Sequence, residues 1–353
     1  MSEKLKVGII GAGRISDLHY SAYLNYDKAE ISVICDVNEA VAKKRANELN
    51  CRWTTQYKEV LADKSISYVE ILTPHQFHKD NLIDAVAAGK HVSLQKPMSR
   101  NVDEARQMID AANKAGVLFK VFENFVFYPP YVLAKELMDQ GEIGDPISIR
   151  IKLGSGGRGG WQVPLTSWIW RVDHNLSGGG PVLFDDGYHK YSIALWFFGD
   201  IDEIYAWVDY TYNVIDSPAI VFFKFKEHNR LGTFEASFQP HLWVNSKYYA
   251  ADERVEITGT KGVIWITRCT AQLMDIPPVI LMKEGYTRTW ENIRSDWVDS
   301  FIDSSHHFVE QCILGEQEPL LTGEQGLKIL QCIKASYLSS EKQERINPAT
   351  ITE

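Results

Sequence analysis

Four residues near the N-terminus have the types and spacing to hold a dinucleotide. In VGIIGAGRIS, Gly11, Gly13 and Ser16 fill a GxGxxG pattern, with serine in the place of the third glycine. Gly11 permits a tight turn, Gly13 lets the backbone approach a pyrophosphate, and Ser16 is small enough for a helix to pack closely on a sheet. The motif leaves an apolar strand and opens a helix, whose first N–H groups and dipole favour phosphates, with Arg14 and Ile15 inside the same loop. Asp36 ends ISVICD, 20 residues after Ser16. A carboxylate there accepts from ribose hydroxyls and repels a 2′-phosphate, and no arginine directly follows, so the cofactor expected is NAD rather than NADP. The plainer reading, a glycine-rich turn with a surface aspartate, fits the spacing and context less well.

Two later strand ends add polar groups. HVSLQKPMSR places Gln95 and Lys96 at the carboxyl end of a strand, where open α/β sheets put their ligands, and Pro97 closes the strand. LTPHQFHKD ends in the same way at Thr73 and Pro74. His75 follows as a loop contact to the cofactor, and His78 as a helix-start residue beside it.

The stretch GGGPVLFDDGYHKY, residues 178–191, then brings two carboxylates and an imidazole together. Its pattern predicts a helix from about Asp185 to Phe198, closed by Gly199. Asp185 and His189 are four apart and share a face, with Trp196 about two turns further on, whereas Asp186 points about 100° away. Gly187 leaves out a side chain where a ligand could approach. The three preceding glycines let the backbone come close to the same place.

These residues need elements to position them. From residue 5 to about 123, short apolar runs (LKVGII, ISVICD, YVEILT, HVSLQK, VLFKVF) alternate with segments of helical periodicity, which implies βαβ units and a parallel sheet. After ELMDQGEIGDP the runs are separated by turns, as in ISIRIKL, AIVFFKFK, LGTFEASF and GVIWIT, which implies a mainly antiparallel sheet. The expected division is therefore a doubly wound domain at 1–124 and a second α/β domain at 125–353, with two amphipathic helices near the C-terminus covering a face or edge.

Bulk composition narrows the partners. Of the 353 residues 45% are apolar and 24% charged, as in an ordinary globular protein. The net charge of −9 lacks the basic footprint of a nucleic-acid or anionic-membrane binder. Five cysteines without a CxxC pair read as free or buried thiols in a reducing compartment, and no metal site is expected. The N-terminal apolar run is too short for a signal peptide and no run approaches a membrane span, so the expected location is the cytoplasm.

On GIIGAGRIS, ILTPHQFH, LQKP, GGPVLFDDGYHKYS and EITGTKG, the chain resembles the glucose-fructose oxidoreductase and inositol dehydrogenase family, Gfo/Idh/MocA, over nearly its full length. The resemblance implies an N-terminal Rossmann domain and a C-terminal domain whose large open sheet serves in oligomer contacts, favouring a homodimer or homotetramer. It implies hydride transfer at a secondary alcohol of a sugar, glycoside or cyclitol. Lys96 then corresponds to the lysine of the family's EKP motif, Asp185 to its active-site aspartate and His189 to its catalytic histidine. An imidazole with an ordinary pKa near 6.5 suits the removal of a hydroxyl proton at neutral pH. Lys96 would hydrogen-bond the reacting oxygen, and Asp185 would orient His189 or hold a neighbouring hydroxyl. Gln95 stands where the family has glutamate, and Ser192 where an acid commonly follows the histidine.

Ahead of the glycines, GSGGRGGWQVPLTSWIWRVDHN supplies Trp161, Trp168, Trp170 and Arg171, which with Asp186 and His189 could hold a sugar ring of apolar face and polar rim. A core tryptophan cluster with solvated arginines is the alternative. Two other functions stay open: a glycoside-cleaving enzyme that oxidises a ring carbon transiently and eliminates a substituent, and a non-catalytic NAD-binding sensor.

Overall fold

The computed structural model describes residues 4–161, 163–227 and 229–353. The chain divides into two compact units, one of Met1–Glu123 with Phe301–Leu327 and Glu353, the other of Asn124–Ser300 with Lys328–Thr352.

In the first unit, strands β1 (Leu5–Ile10), β2 (Ala29–Cys35), β3 (Arg52–Thr54), β4 (Ile66–Ile71), β5 (His91–Gln95) and β6 (Phe119–Phe122) form one sheet in the order β3-β2-β1-β4-β5-β6. Every pairing is parallel. Their β-branched and apolar residues, among them Val7, Ile9, Val69, Ile71, Val92 and Leu94, are wholly buried, as a parallel sheet covered on both faces requires. Helices Glu39–Leu49 and Val102–Ala115 start on the side-chain caps Asn38 and Asn101, and end on the left-handed residues Asn50 and Gly116. The strand order reverses between β1 and β4, so Gly11 and Thr73 emerge side by side at the carboxyl edge. Edge strand β3 was not foreseen, because three residues are too few to show an alternation.

The segment Phe301–Leu327, assigned from sequence to the second domain, packs within the first unit. Phe308, Val309 and Cys312 join Val7, Ile9 and Ile34 in one core cluster. Lys120, fully buried on β6, donates from Nζ to the Ser304 carbonyl at 2.8 Å and to Ser304 Oγ at 2.7 Å.

Burial pushes the Lys120 pKa down to about 7, below the ordinary lysine value. The unfolded chain therefore binds this proton more tightly than the folded one. The Lys120 contribution to stability is fully present above the ordinary lysine value and is lost as pH falls toward 7, at up to about 1.4 kcal/mol per pH unit. In urea melts the stability of wild type minus that of Lys120→Met should grow by about 2 kcal/mol between pH 7 and 9. A difference that stays flat with pH would show that Lys120 is not held in this way.

The second unit is built on eight strands: β7 (Pro146–Arg158), β8 (Ile201–Val208), β9 (Ala219–Phe225), β10 (Leu231–Trp243), β11 (Ala251–Gly259), β12 (Gly262–Ile266), β13 (Val279–Lys283) and β14 (Tyr286–Trp290). Their order is β14-β13-β12-β11-β7-β10-β9-β8, antiparallel except where β10 runs parallel to β7. Strand β9 alternates strictly between buried and exposed residues, the mark of a sheet with one covered face. Phe223 and Phe234 point into the core, beneath the helix Gly187–Phe198. Ile220, Phe222 and Trp207 are exposed. Among the described residues no helix is long and apolar enough to cross a membrane and no group of side chains could hold a metal ion, and none of the five cysteines is in a disulfide.

Candidate active site

At the carboxyl edge of the first sheet, the loop after β1 has the shape a pyrophosphate needs. Gly11 has φ +100°, and a Cβ there would lie 2.8 Å from the Leu72 carbonyl, so only glycine fits. A Cβ on Gly13 would meet nothing within 4 Å, which leaves the backbone open to an approaching group. The helix that follows, Ser16–Tyr20, is only five residues long. The loop amides rather than a long helix dipole would therefore supply the contacts to an anion. Ser16 Oγ donates to the Gly13 carbonyl at 2.6 Å and holds the loop shut, while Arg14 is exposed and paired with Asp17, and Ile15 is half-buried.

Asp36 accepts from the Ala12 amide at 2.8 Å through Oδ2 and from the Asn38 amide at 2.9 Å through Oδ1. Each oxygen keeps a further lone pair for a ribose hydroxyl. These residues fit NAD.

Lys96 lies half-buried at the end of β5, where the Lys96–Pro97 bond is cis. Thr73 and Pro74 are half-buried at the end of β4, and His75 is buried beyond them. His78, expected beside the cofactor, has no exposed surface. Its Nε2 lies 2.7 Å from the Thr73 carbonyl and its Nδ1 lies 3.0 Å from the Pro97 carbonyl. Burial holds its pKa below the ordinary value. The ring thus lies between the loops that carry Thr73 and Lys96 and, as a neutral imidazole, donates to one of the two carbonyls.

In the second unit, the expected helix start moves. Residues Pro181–Asp186 form a π-helical turn, with the Asp185 amide donating to the Gly180 carbonyl at 3.1 Å, and the α-helix proper runs Gly187–Phe198. Asp185 and His189 are both buried. Asp185 Oδ2 accepts from Arg171 Nε at 2.9 Å, and Arg171 also donates to the Ser167 carbonyl at 2.9 Å. The Arg171 guanidinium stands 4.2 Å from the centroid of the Trp170 ring. Asp185, Arg171 and Trp170 are therefore gathered into one cluster. His189 stacks on Phe125 with centroids 4.0 Å apart and planes 17° from parallel, which fixes the imidazole plane. Asp186 is half-buried, and Ser192 is buried with no partner for its hydroxyl among the described residues.

The helix Leu165–Val172, which bears Trp168, Trp170 and Arg171, has no buried residue. Trp168 is exposed, and Trp161 stands edge-on to Tyr248 and Tyr249. The Trp161 amide donates to the Tyr248 carbonyl at 2.6 Å. The glycines also differ in role from the sequence expectation. A Cβ on Gly179 would lie 2.5 Å from the Phe184 ring, and one on Gly180 would lie 2.1 Å from the Asp216 carboxyl carbon. A Cβ on Gly187 would meet Phe234 and the Val182 carbonyl at 3.3 Å. All three face protein rather than a ligand.

Asp216 is a residue that sequence reasoning missed. It accepts from the Val182 and Phe184 amides at 2.8 and 2.9 Å and from the Tyr337 hydroxyl, so it satisfies the orphan donors at the start of the π turn. Burial nevertheless pushes its carboxyl above the ordinary aspartate value. Phe125 and the buried ion pair of Lys190 with Glu253 were likewise unmarked by any motif.

Two family models match the chain: the oxidoreductase family with NAD-binding Rossmann fold at residues 5–123, and the GFO/IDH/MocA C-terminal domain at residues 131–265. The chain belongs to the GFO/IDH/MocA oxidoreductase family. It is 26% identical to the myo-inositol 2-dehydrogenase of Thermotoga maritima, over 97% of this chain and 98% of that one. It is 25% identical to the D-glucoside 3-dehydrogenase of Escherichia coli, over 98% of each. A levoglucosan dehydrogenase solved with NADH and levoglucosan has the same fold, with TM-score 0.83 and 20% identity over 98% of this chain and 99% of that one. This GFO/IDH/MocA protein is thus an oxidoreductase with an NAD-binding Rossmann domain.

Proposed function

We propose that this oxidoreductase oxidises, or in reverse reduces, a secondary ring hydroxyl of a sugar, glycoside or cyclitol. The observation that carries the reading is the buried turn in which Arg171 holds Asp185 and Phe125 holds the His189 ring. It occurs in a chain that also has the Gly11–Asp36 cradle, and the named relatives are an inositol and a glucoside dehydrogenase.

When bound, NAD supplies the hydride acceptor. His189 takes the hydroxyl proton as the carbinol hydrogen leaves with its electron pair. Lys96 donates a hydrogen bond to the reacting oxygen, and Asp185, fixed by Arg171, holds His189 or an adjacent hydroxyl. Trp168, Trp170, Arg171 and Asp186 offer the aromatic face and polar rim that bind a ring. The exposed Trp207, Ile220 and Phe222 on one face of the sheet support a homodimer or homotetramer.

The test is to challenge the purified protein with methyl glucosides, hexoses and inositols, with and without added NAD, and follow nicotinamide absorbance. Reduction that needs added NAD supports a dehydrogenase. Product formed with a cofactor that stays bound would replace it by transient oxidation and elimination. If no probe changed the absorbance or yielded product, a sensor would take its place.

A further inference from the structure

Lys96 sits at the end of a buried polar chain that runs back through the first unit. The Lys96 amide donates to Gln95 Oε1 at 2.8 Å. A backbone N–H can only donate, so this contact fixes the amide oxygen of Gln95 on that side and turns its nitrogen the other way. Gln95 Nε2 lies 3.0 Å from His19 Nε2, which must accept. The ring proton of His19 is then on Nδ1, and it donates to Glu70 Oε2 at 2.7 Å. Glu70 Oε1 takes the hydroxyls of Tyr23 at 2.6 Å and Tyr68 at 2.7 Å. His19 and Glu70 have no exposed surface, and Gln95 is 9% exposed. The His19 ring is held by Phe122, at 4.1 Å between centroids, and by Phe301, at 5.3 Å. One arrangement of protons satisfies each of these links, and the chain reaches the backbone of Lys96.

We infer that Gln95 is a positioning residue for Lys96, with its amide locked in one orientation by the His19–Glu70 pair. This rests on the reading of Lys96 as a group that acts on the substrate. With His19 neutral, an ionised glutamate at position 95 could accept from Lys96 but could not donate to His19 Nε2, so it would need the imidazole doubly protonated, whereas the amide completes the chain with a neutral ring. The side chain of Gln95 thus works through the backbone of its neighbour and not on the cofactor.

Gln95→Met in the full-length protein keeps the shape and removes both hydrogen bonds. Site-resolved amide exchange should show the Lys96 amide exchanging at least about tenfold faster than in wild type, with the amides of β5 unchanged. Turnover with methyl glucoside or myo-inositol should fall about tenfold or more, while the NAD dissociation constant stays within about twofold. Unchanged Lys96 exchange, unchanged turnover, or a loss of NAD affinity that matches the loss of turnover would each overturn the inference. If Gln95→Met does not fold, His19→Leu and His19→Gln carry the same test. The glutamine keeps an acceptor and a donor and should retain protection of Lys96, whereas the leucine should lose it; equal protection in the two would overturn the inference. Lys96→Met is measured in parallel: near-normal turnover there would remove the proposed role of Lys96, whereas a large loss there with none in Gln95→Met would remove only the role of Gln95.

Discussion

Replacing His189 by asparagine is expected to lower kcat by about 10²–10⁴-fold while leaving NAD affinity within about twofold of wild type. The size follows from what is lost. Asparagine retains hydrogen-bonding capacity but cannot accept the hydroxyl proton, so the hydride must leave from an alcohol whose proton stays in place. The selectivity follows from position, because the residues that fit NAD lie in the first unit and His189 lies on a helix of the second. Phe125 would keep its other neighbours, so the local fold should survive. Single-turnover absorbance gives the rate, and a fluorescence titration with NAD gives the affinity. Turnover near wild type would remove His189 from the mechanism. A matching fall in both quantities would mean that the change acts on the fold.

The legible parts of this molecule were those encoded over short distances. Parallel strands buried on both faces read as runs such as YVEILT, and Gly11, Gly13 and Asp36 carry their spacing within one βαβ unit. Asp185 and His189 were read as a pair because they are four residues apart; the structure puts Asp185 in the π turn Pro181–Asp186 and His189 in the α-helix Gly187–Phe198, both buried. What stayed hidden depends on contacts made across long stretches of chain. Asp216 bonds the amide of Val182, 34 residues away, and nothing local marks it as a helix cap. The requirement for glycine at position 180 follows from the same carboxylate. The segment Phe301–Leu327 could not be assigned from its own periodicity, because an amphipathic helix does not state which sheet it will cover. His78, read as a helix-start residue, does open the helix His78–Ala87, but nothing local shows that its ring nitrogens face the carbonyls of Thr73 and Pro97.

Glu253→Gln should cost about 3–5 kcal/mol of stability, the range found when one partner of a buried ion pair is removed. Lys190 and Glu253 are 1% and 3% exposed at their side chains. Burial opposes the charge on both, yet each partner overrides it, holding the Lys190 ammonium above its ordinary pKa and the Glu253 carboxyl below. Thr270 adds its amide to Glu253 Oε2 at 3.1 Å, so the carboxylate is both paired and hydrogen-bonded. Neutral glutamine leaves the Lys190 charge uncompensated in the core. Urea melts should therefore show a lower midpoint for Glu253→Gln, and adding Lys190→Met should recover much of the loss, since the stranded charge is then gone. Lys190 Nζ stands 4.1 Å from the centroid of Phe125, the ring on which His189 stacks. A variant that regains stability through Lys190→Met should therefore still turn over more slowly than wild type, because the support beneath the imidazole has changed. Full recovery of stability together with full turnover would show that the ion pair serves the core alone.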